Sequence, residues 1–351
     1  MALESRGLLR GGLWIKRTQS VYSAAQVSQW LSKIEYPGSF LEASLESLNL
    51  LVQLAVTTFP FENTPMHYTP AHSMDISYEG LYKRMIETSG NKGSYCFGLN
   101  GLFVQMLKAL GFRAYTGAGR INKQTSNGVP IFRSFVHMVI FVQPNEGSNE
   151  TYLVDVGYGP VRPILLEEGA SVMGATPSEI HRLCRTARPD SSLESSPGSE
   201  RAEKLEWCLE CVRDSKDPSR PQTSVVMYSF IEDEFFEVDF QSFNYSLLGL
   251  REGRFWENVI CTKYFWLNDE EMQEVSADTT KITGRYLGKL TMAGNTVRRH
   301  VGTREQVLKV METELERAEA LGKYFAIVIH PEDLEHVRGR GAELKAGPIT
   351  R

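Results

Sequence analysis

The sequence predicts an α+β protein in three parts: a helical first third, an antiparallel β middle, and a last third that mixes hairpin and helix. Three observations carry this. Apolar residues recur at helical spacing up to Leu110. From Phe112 the chain breaks into short runs rich in β-branched and aromatic residues, separated by Gly, Asn, Pro and Ser clusters. From Gly284 a Gly-Asn turn signal precedes a long amphipathic stretch.

Residues 1–20 form an N-terminal extension with four Lys/Arg and one Glu; a mitochondrial presequence would be richer in Ser and free of acids, so a cytoplasmic location is expected. The bundle is expected over 21–111. Val27, Trp30, Leu31 and Ile34 share a face behind a Ser23 cap, and Leu45, Leu48, Leu51, Leu54 and Ala55 repeat the pattern before Pro60. Leu99, Leu102, Phe103, Met106 and Leu110 follow Cys96, and Gly111 ends that helix. Strands "FRAYTGAGRI", "SFVHMVIFV", "TYLVDVGYG", "EKLEWCLECV" and "QTSVVMYSF" make 112–238 an antiparallel barrel or sandwich. Its Ser/Pro-rich insertion at 188–204 reads as mobile. In 239–335, a hairpin at Gly294-Asn295 leads into one helix from Thr303, capped by Thr303 and Gln306 and striped by Leu308, Met311, Leu315, Ala318 and Leu321. The Gly-rich basic tail, 336–351, is expected to be disordered.

The chain has 351 residues, a net charge of −5 and 42% hydrophobic residues, ordinary globular figures that point away from nucleic acid. No apolar run reaches the ~18 residues of a membrane span. Five cysteines, an odd number in a long chain, fit a reducing compartment rather than a disulfide framework. Cys208 and Cys211 fall on opposite faces of one strand with no second Cys or His pair nearby in sequence, so no metal site is expected. The stretch 117–122, "GAGRIN", lacks the third glycine of a dinucleotide fingerprint and is read as a turn.

Cys96 is the residue with chemistry to explain. It lies at a helix start, where unsatisfied N–H groups favour a thiolate, and small residues beside it allow backbone N–H groups to approach a reacting carbonyl. His137 interrupts an apolar strand, and Asp155 interrupts the next. A register pairing residues whose numbers sum to 292 sets them face to face, whereas a slip of one residue would bury each unpaired. Nucleophile, base and orienting carboxylate then follow in the order Cys, His, Asp, a papain-like core.

These residues resemble the arylamine N-acetyltransferase family. "FPFENTPMHY" (59–68), "KGSYCFGLN" (92–100), "SFVHMVIFV" and "YLVDVGYG" match its motifs in order, and the "DFQSFNYS" and "TELERAEALGKYFAIVI" segments resemble its late landmarks. In length and insertions the chain is similar to the longer, fungal-type members. The resemblance implies a helical bundle, a β-barrel and an α/β lid, with ping-pong transfer of an acyl group from acyl-CoA, a co-substrate rather than a bound cofactor, through Cys96 to an arylamine or hydrazine nitrogen. It makes Cys96, His137 and Asp155 catalytic and Phe61, Tyr158 and Tyr95 substrate-binding. Arg120, Lys123 and Ser246 become candidates for holding CoA, with Arg133 and Arg162 as further cations. Glu62 would pair with Lys92, which stands where the family has Arg, and Ser94 replaces a family Gly. Acetyl, propionyl and malonyl donors stay open, as do a Cys-His-Asp hydrolase and a silent paralogue that binds CoA or aromatic ligands.

Overall fold

A computed structural model describes residues 7–39, 41–90, 92–123, 128–193, 205–215, 222–276 and 285–344. The helical part holds α1 (Ala24–Lys33), α2 (Leu45–Thr58), the short β1 (Phe61–Glu62), α3 (Pro65–Tyr68), α4 (Tyr78–Tyr82) and α5 (Cys96–Ala109). Ser23 and Gln26 close a capping box at α1, and Gly111, at φ +88°, ends the α5 turn as the sequence predicts. α5 is buried along nearly its whole length and packs on Leu48, Leu51 and Trp30, so it is the axis of the first core.

Eight antiparallel strands follow: β2 (Arg113–Ile121), β3 (His137–Gln143), β4 (Tyr152–Val154), β5 (Ile164–Leu165), β6 (Ser171–Met173), β7 (Glu179–Ala187), β8 (Leu205–Arg213) and β9 (Thr223–Phe230). Their order, β5-β4-β3-β2-β9-β8-β7-β6, curls into a nearly closed barrel around Val139, Phe141, Leu209 and Phe230. Residues 117–121 continue β2 instead of turning. Glycine is needed there because a Cβ on Gly117 would stand 2.5 Å from the Phe141 ring, and one on Gly119 3.0 Å from Ser229 O. The insertion from 194 to 204 lies outside the described residues.

α6 (Glu237–Gly249) and α7 (Arg254–Glu257) lead to β10 (Ile260–Trp266), α8 (Asp269–Val275), β11 (Leu287–Ala293), β12 (Thr296–Val301), β13 (Arg304–Val310) and α9 (Glu314–Phe325). The lid sheet has the order β1-β10-β11-β12-β13, so two residues of the helical part supply its first strand. The hairpin at Gly294 is present. The single helix expected from Thr303 is not: Gly302, at φ +57°, and Thr303 form a second two-residue turn, and 304–310 pairs back on β12. α9 begins ten residues later, at a Thr313–Glu316 capping box.

Disorder from His336 does not hold for residues 336–344. Val337 and Ala342 are buried against α9, and Arg317, fully buried, donates to Ala342 O at 2.9 Å. A buried guanidinium needs several acceptors, and Glu314, Tyr68 and the tail carbonyl supply them. The N-terminal segment is likewise anchored: Leu9 and Ile15 join the barrel core, and Gln143 Oε1 accepts from Ile15 N–H. No helix among the described residues is long and apolar enough to cross a membrane.

One buried imidazole makes the fold acid-sensitive. Burial, and then the charge of Arg340, hold His67 down at about 3. The unfolded chain therefore takes up this proton near pH 6.5 and the folded chain does not, so stability is present above that pH and lost as pH falls. At pH 5 the loss from this group is about 2 kcal/mol relative to pH 8. Urea midpoints measured over that range should fall in the parent and stay flatter in His67→Gln.

Candidate active site

Cys96 opens α5, with its thiol near Val136 O at 3.6 Å and 4% of its surface exposed. Next to it on β3, His137 is wholly buried and sends Nε2 to Asp155 Oδ2 at 2.7 Å. Nδ1 has no nitrogen or oxygen partner; the ring interacts with the Cys96 thiol. The three side chains expected to act together are thus adjacent.

The route differs from the expected register. Ile140 pairs with Val154 and Phe141 with Leu153, two positions away from the pairing that sets His137 opposite Asp155. A two-residue shift keeps the face, because side chains alternate with period two, and Asp155 reaches His137 diagonally from the turn beyond β4. Asp155 Oδ1 accepts from Asn100 Nδ2 at 2.8 Å, Gly157 N–H at 2.8 Å and Tyr158 N–H at 2.9 Å. Burial pushes the Asp155 carboxyl up, but His137, Asn100 and the Tyr158 N–H outweigh it and hold it below its ordinary value. Burial pushes His137 down, and the Asp155 charge, its hydrogen bond and Cys96 reverse this and raise it. Each partner thus favours the charged form of the other.

Asn100 was not singled out by sequence, although it ends the "KGSYCFGLN" stretch. One helical turn after Cys96, it donates to Asp155 and Met138 O and accepts from Val156 N–H, tying α5 to both strands. Gly157 is also a close-approach position: a Cβ there would stand 2.8 Å from Cys96 Cα.

The loop before Cys96 is held from β1. Glu62 N–H donates to Ser94 O, and Glu62 Oε2 accepts from Thr64 N–H and its hydroxyl. The cation on Glu62 is Arg84, not Lys92. Arg84 Nη2 donates to Glu62 Oε1 while its Nε donates to Gly93 O at 2.7 Å, so one guanidinium clamps both segments. Arg84 lies in the irregular turn after α4, where spacing gave no signal. Ser94 is accommodated because residue 98, facing it on α5, is glycine: a Cβ there would meet Ser94 Oγ at 2.1 Å.

Aromatic rings surround the thiol. Tyr95 is buried between Phe97 and Phe255, Phe61 also meets Phe255, and Tyr158, 42% exposed, stands edge-on to His137 with centroids 6.3 Å apart. α6 covers this cluster with Phe240 and Leu247. The expected CoA residues are scattered. Arg120 lies over the Phe135 ring at 3.7 Å, Lys123 is exposed at the end of β2, and Ser246 is on the exposed side of α6. No hydrogen bond, ion pair or ring contact joins Lys123 or Ser246 to the Cys96 site among the described residues.

An N-acetyltransferase family model matches residues 44–330, most of the chain and every element just described around Cys96. The chain belongs to the arylamine N-acetyltransferase family. Among curated relatives of this chain, the N-malonyltransferase FDB2 of Fusarium pseudograminearum (strain CS3096) is 25% identical over 346 residues, covering 92% of this chain and 93% of that protein. The arylamine N-acetyltransferase of Mycobacterium bovis is 32% identical over 164 residues, 46% of this chain and 55% of that one. The arylamine N-acetyltransferase structure of Mycobacterium marinum has a TM-score of 0.66 at 20% identity, covering 89% and 98% of the two chains. A complex of the same enzyme with CoA gives 0.61 at 21%, covering 89% and 94%. These structures share the fold, with its bundle, barrel and lid.

Replacing Asn100 should be costly out of proportion to its size. Asn100→Ala leaves a buried carboxylate oxygen and the Val156 N–H short of partners, a loss of about 3 kcal/mol. Urea unfolding of the purified variant measures it, and iodoacetamide labelling of Cys96 should slow in parallel.

Proposed function

We propose that this protein moves an acyl group from acyl-CoA to the nitrogen of an aromatic amine or hydrazine through a Cys96 thioester. The observation that carries the reading is the buried His137–Asp155 pair beside a thiol at the head of α5. Cys96 sulfur attacks the thioester carbonyl, His137 takes the cysteine proton and passes it to the departing sulfur, and CoA leaves as its thiol. Asp155 fixes the ring so that Nε2 faces the carboxylate and Nδ1 faces sulfur. In the second half-reaction the amine nitrogen attacks the Cys96 acyl group, sulfur leaves, and the proton shed by nitrogen passes through His137 to the sulfur. Phe61, Tyr95, Phe255 and Tyr158 supply flat apolar walls that suit an aromatic acceptor.

Malonyl is the donor group we favour. The relative that matches over 92% of this chain is an N-malonyltransferase. Arg254 adds a physical reason: it directly precedes Phe255, and it acts on the Tyr158 hydroxyl, lowering its pKa against the upward push of burial. An exposed guanidinium at the mouth of the site suits a malonyl carboxylate. Xenobiotic amines are the acceptor class, and the location is cytoplasmic.

Intact mass recorded after brief mixing with acetyl-CoA or malonyl-CoA, without amine, tests the mechanism. A covalent increment should form, disappear in Cys96→Ala, and discharge when an arylamine is added. A folded protein that gains no mass from either donor overturns the thioester. Arg254→Met should slow malonyl loading more than tenfold while changing acetyl loading little. Asp155→Asn removes the charge that raises His137, and loading should fall by about 10³–10⁴.

A further inference from the structure

The barrel carries a second cluster of reactive side chains that the acyl-transfer reading does not use. Glu179 and His181 are two residues apart on β7, so they share a face, and Cys211 on β8 is the direct cross-strand partner of His181. One ligand atom from each of the three lies within 4.8 Å of the other two. His181 and Cys211 are each only 2% exposed. The imidazole is poorly satisfied for so buried a group: Nδ1 has no hydrogen-bond partner, and Nε2 stands 3.9 Å from Glu179 Oε1, too far for a hydrogen bond.

That distance is informative. Tetrahedral zinc with bonds of about 2.0–2.3 Å sets its ligand atoms roughly 3.3–3.8 Å apart, so the Nε2 and Oε1 atoms are already near that spacing. Arg213 Nε donates to Glu179 Oε2 at 2.7 Å, which orients the carboxylate and leaves Oε1 towards the imidazole. Glu179 also lines a recess of about 300 Å³ between barrel and lid, shared with Thr176, Arg213, Lys289 and His300, which gives an ion a way in.

We propose that Glu179, His181 and Cys211 form a binding site for a zinc-class divalent cation at the seam between barrel and lid. A mixed nitrogen, sulfur and oxygen donor set favours Zn²⁺ or Co²⁺ over Mg²⁺ or Ca²⁺, which prefer all-oxygen cages. Binding forms metal–nitrogen, metal–sulfur and metal–oxygen bonds, and the Cys211 thiol releases its proton to solvent. Two cations face the site. Arg213 is engaged with Glu179, whereas Lys289, half-buried beside it, acts on Glu179, His181 and Cys211 alike. Lys289 therefore works against an added ion and limits the affinity. The cluster and the acyl-transfer site act on each other electrostatically: the Cys211 charge acts on Tyr158, and the Asp155 charge on His181.

Cys208 and Cys211 point apart on β8, as their spacing predicts, and the partners of Cys211 come from the neighbouring strand.

The test uses the full chain carrying Cys96→Ala, so that the thiol in the acyl-transfer site cannot be the ligand. Titration with Co²⁺ should give one equivalent bound per chain, with a thiolate-to-metal charge-transfer band, and Zn²⁺ should displace it. Adding Cys211→Ser should abolish the band, and adding His181→Gln should weaken binding at least tenfold. Lys289→Met should tighten binding at least tenfold, a gain that a misfolded variant cannot imitate. Absence of the charge-transfer band, its survival in Cys211→Ser, or an affinity unchanged by His181→Gln or Lys289→Met overturns the site.

Discussion

The Asp155 carboxylate is buried to 1% exposure where helix α5, strand β3 and the turn after β4 converge, and a charge in that place has to be met by donors from every side. Four donors reach it: His137 Nε2, Asn100 Nδ2 and the backbone N–H groups of Gly157 and Tyr158. Each comes from an element that the charge thereby fixes. Asn100 sets the rotation of α5 and so the direction of Cys96. The two N–H groups shape the turn that carries Tyr158 over the imidazole. Gly157, which closes the approach to Cys96, follows from the same turn, since any side chain there would displace the helix.

A second buried carboxylate does comparable work one layer away. Glu62 has no exposed surface, and its partners Arg84, Thr64 and the Ser94 segment bind the end of the bundle to the loop before the thiol. Because Phe61–Glu62 is also the edge strand of the lid sheet, the lid and the nucleophile loop share one anchor. The replacement of a family arginine by Lys92 does not leave Glu62 unpaired, since Arg84 approaches from the turn after α4. The added hydroxymethyl group of Ser94 is absorbed at Gly98. Both departures are compensated by residues distant in sequence or one helical turn away.

The lid illustrates a different limit. The stripe Leu308, Met311, Leu315, Ala318 and Leu321 fits a helix, yet 304–310 is an edge strand. Apolar spacing over seven residues does not separate a strand from a helix when a Gly302 turn can fold the segment back onto β12. The capping signal was legible but ambiguous, because Thr303–Gln306 and Thr313–Glu316 are both acceptable boxes, and only the second has a helix behind it. The tail looked solvated by composition. Its order comes from Arg317, whose buried guanidinium needs the Ala342 carbonyl, and no local pattern reports that need.

Local signals in the sequence were enough for the three-part fold, for α5 and its end at Gly111, and for bringing Cys96, His137 and Asp155 to one place. Period and polarity are read residue by residue, and an acid or imidazole in an apolar strand demands a partner whatever the details. Tertiary structure alone decided the register of β3 on β4, the choice of Arg84 over Lys92, the role of Asn100 and the meeting of Cys211 with Glu179 and His181. In each case the outcome depends on groups far apart in the chain, and a condition on pairs of distant residues leaves no trace in local spacing.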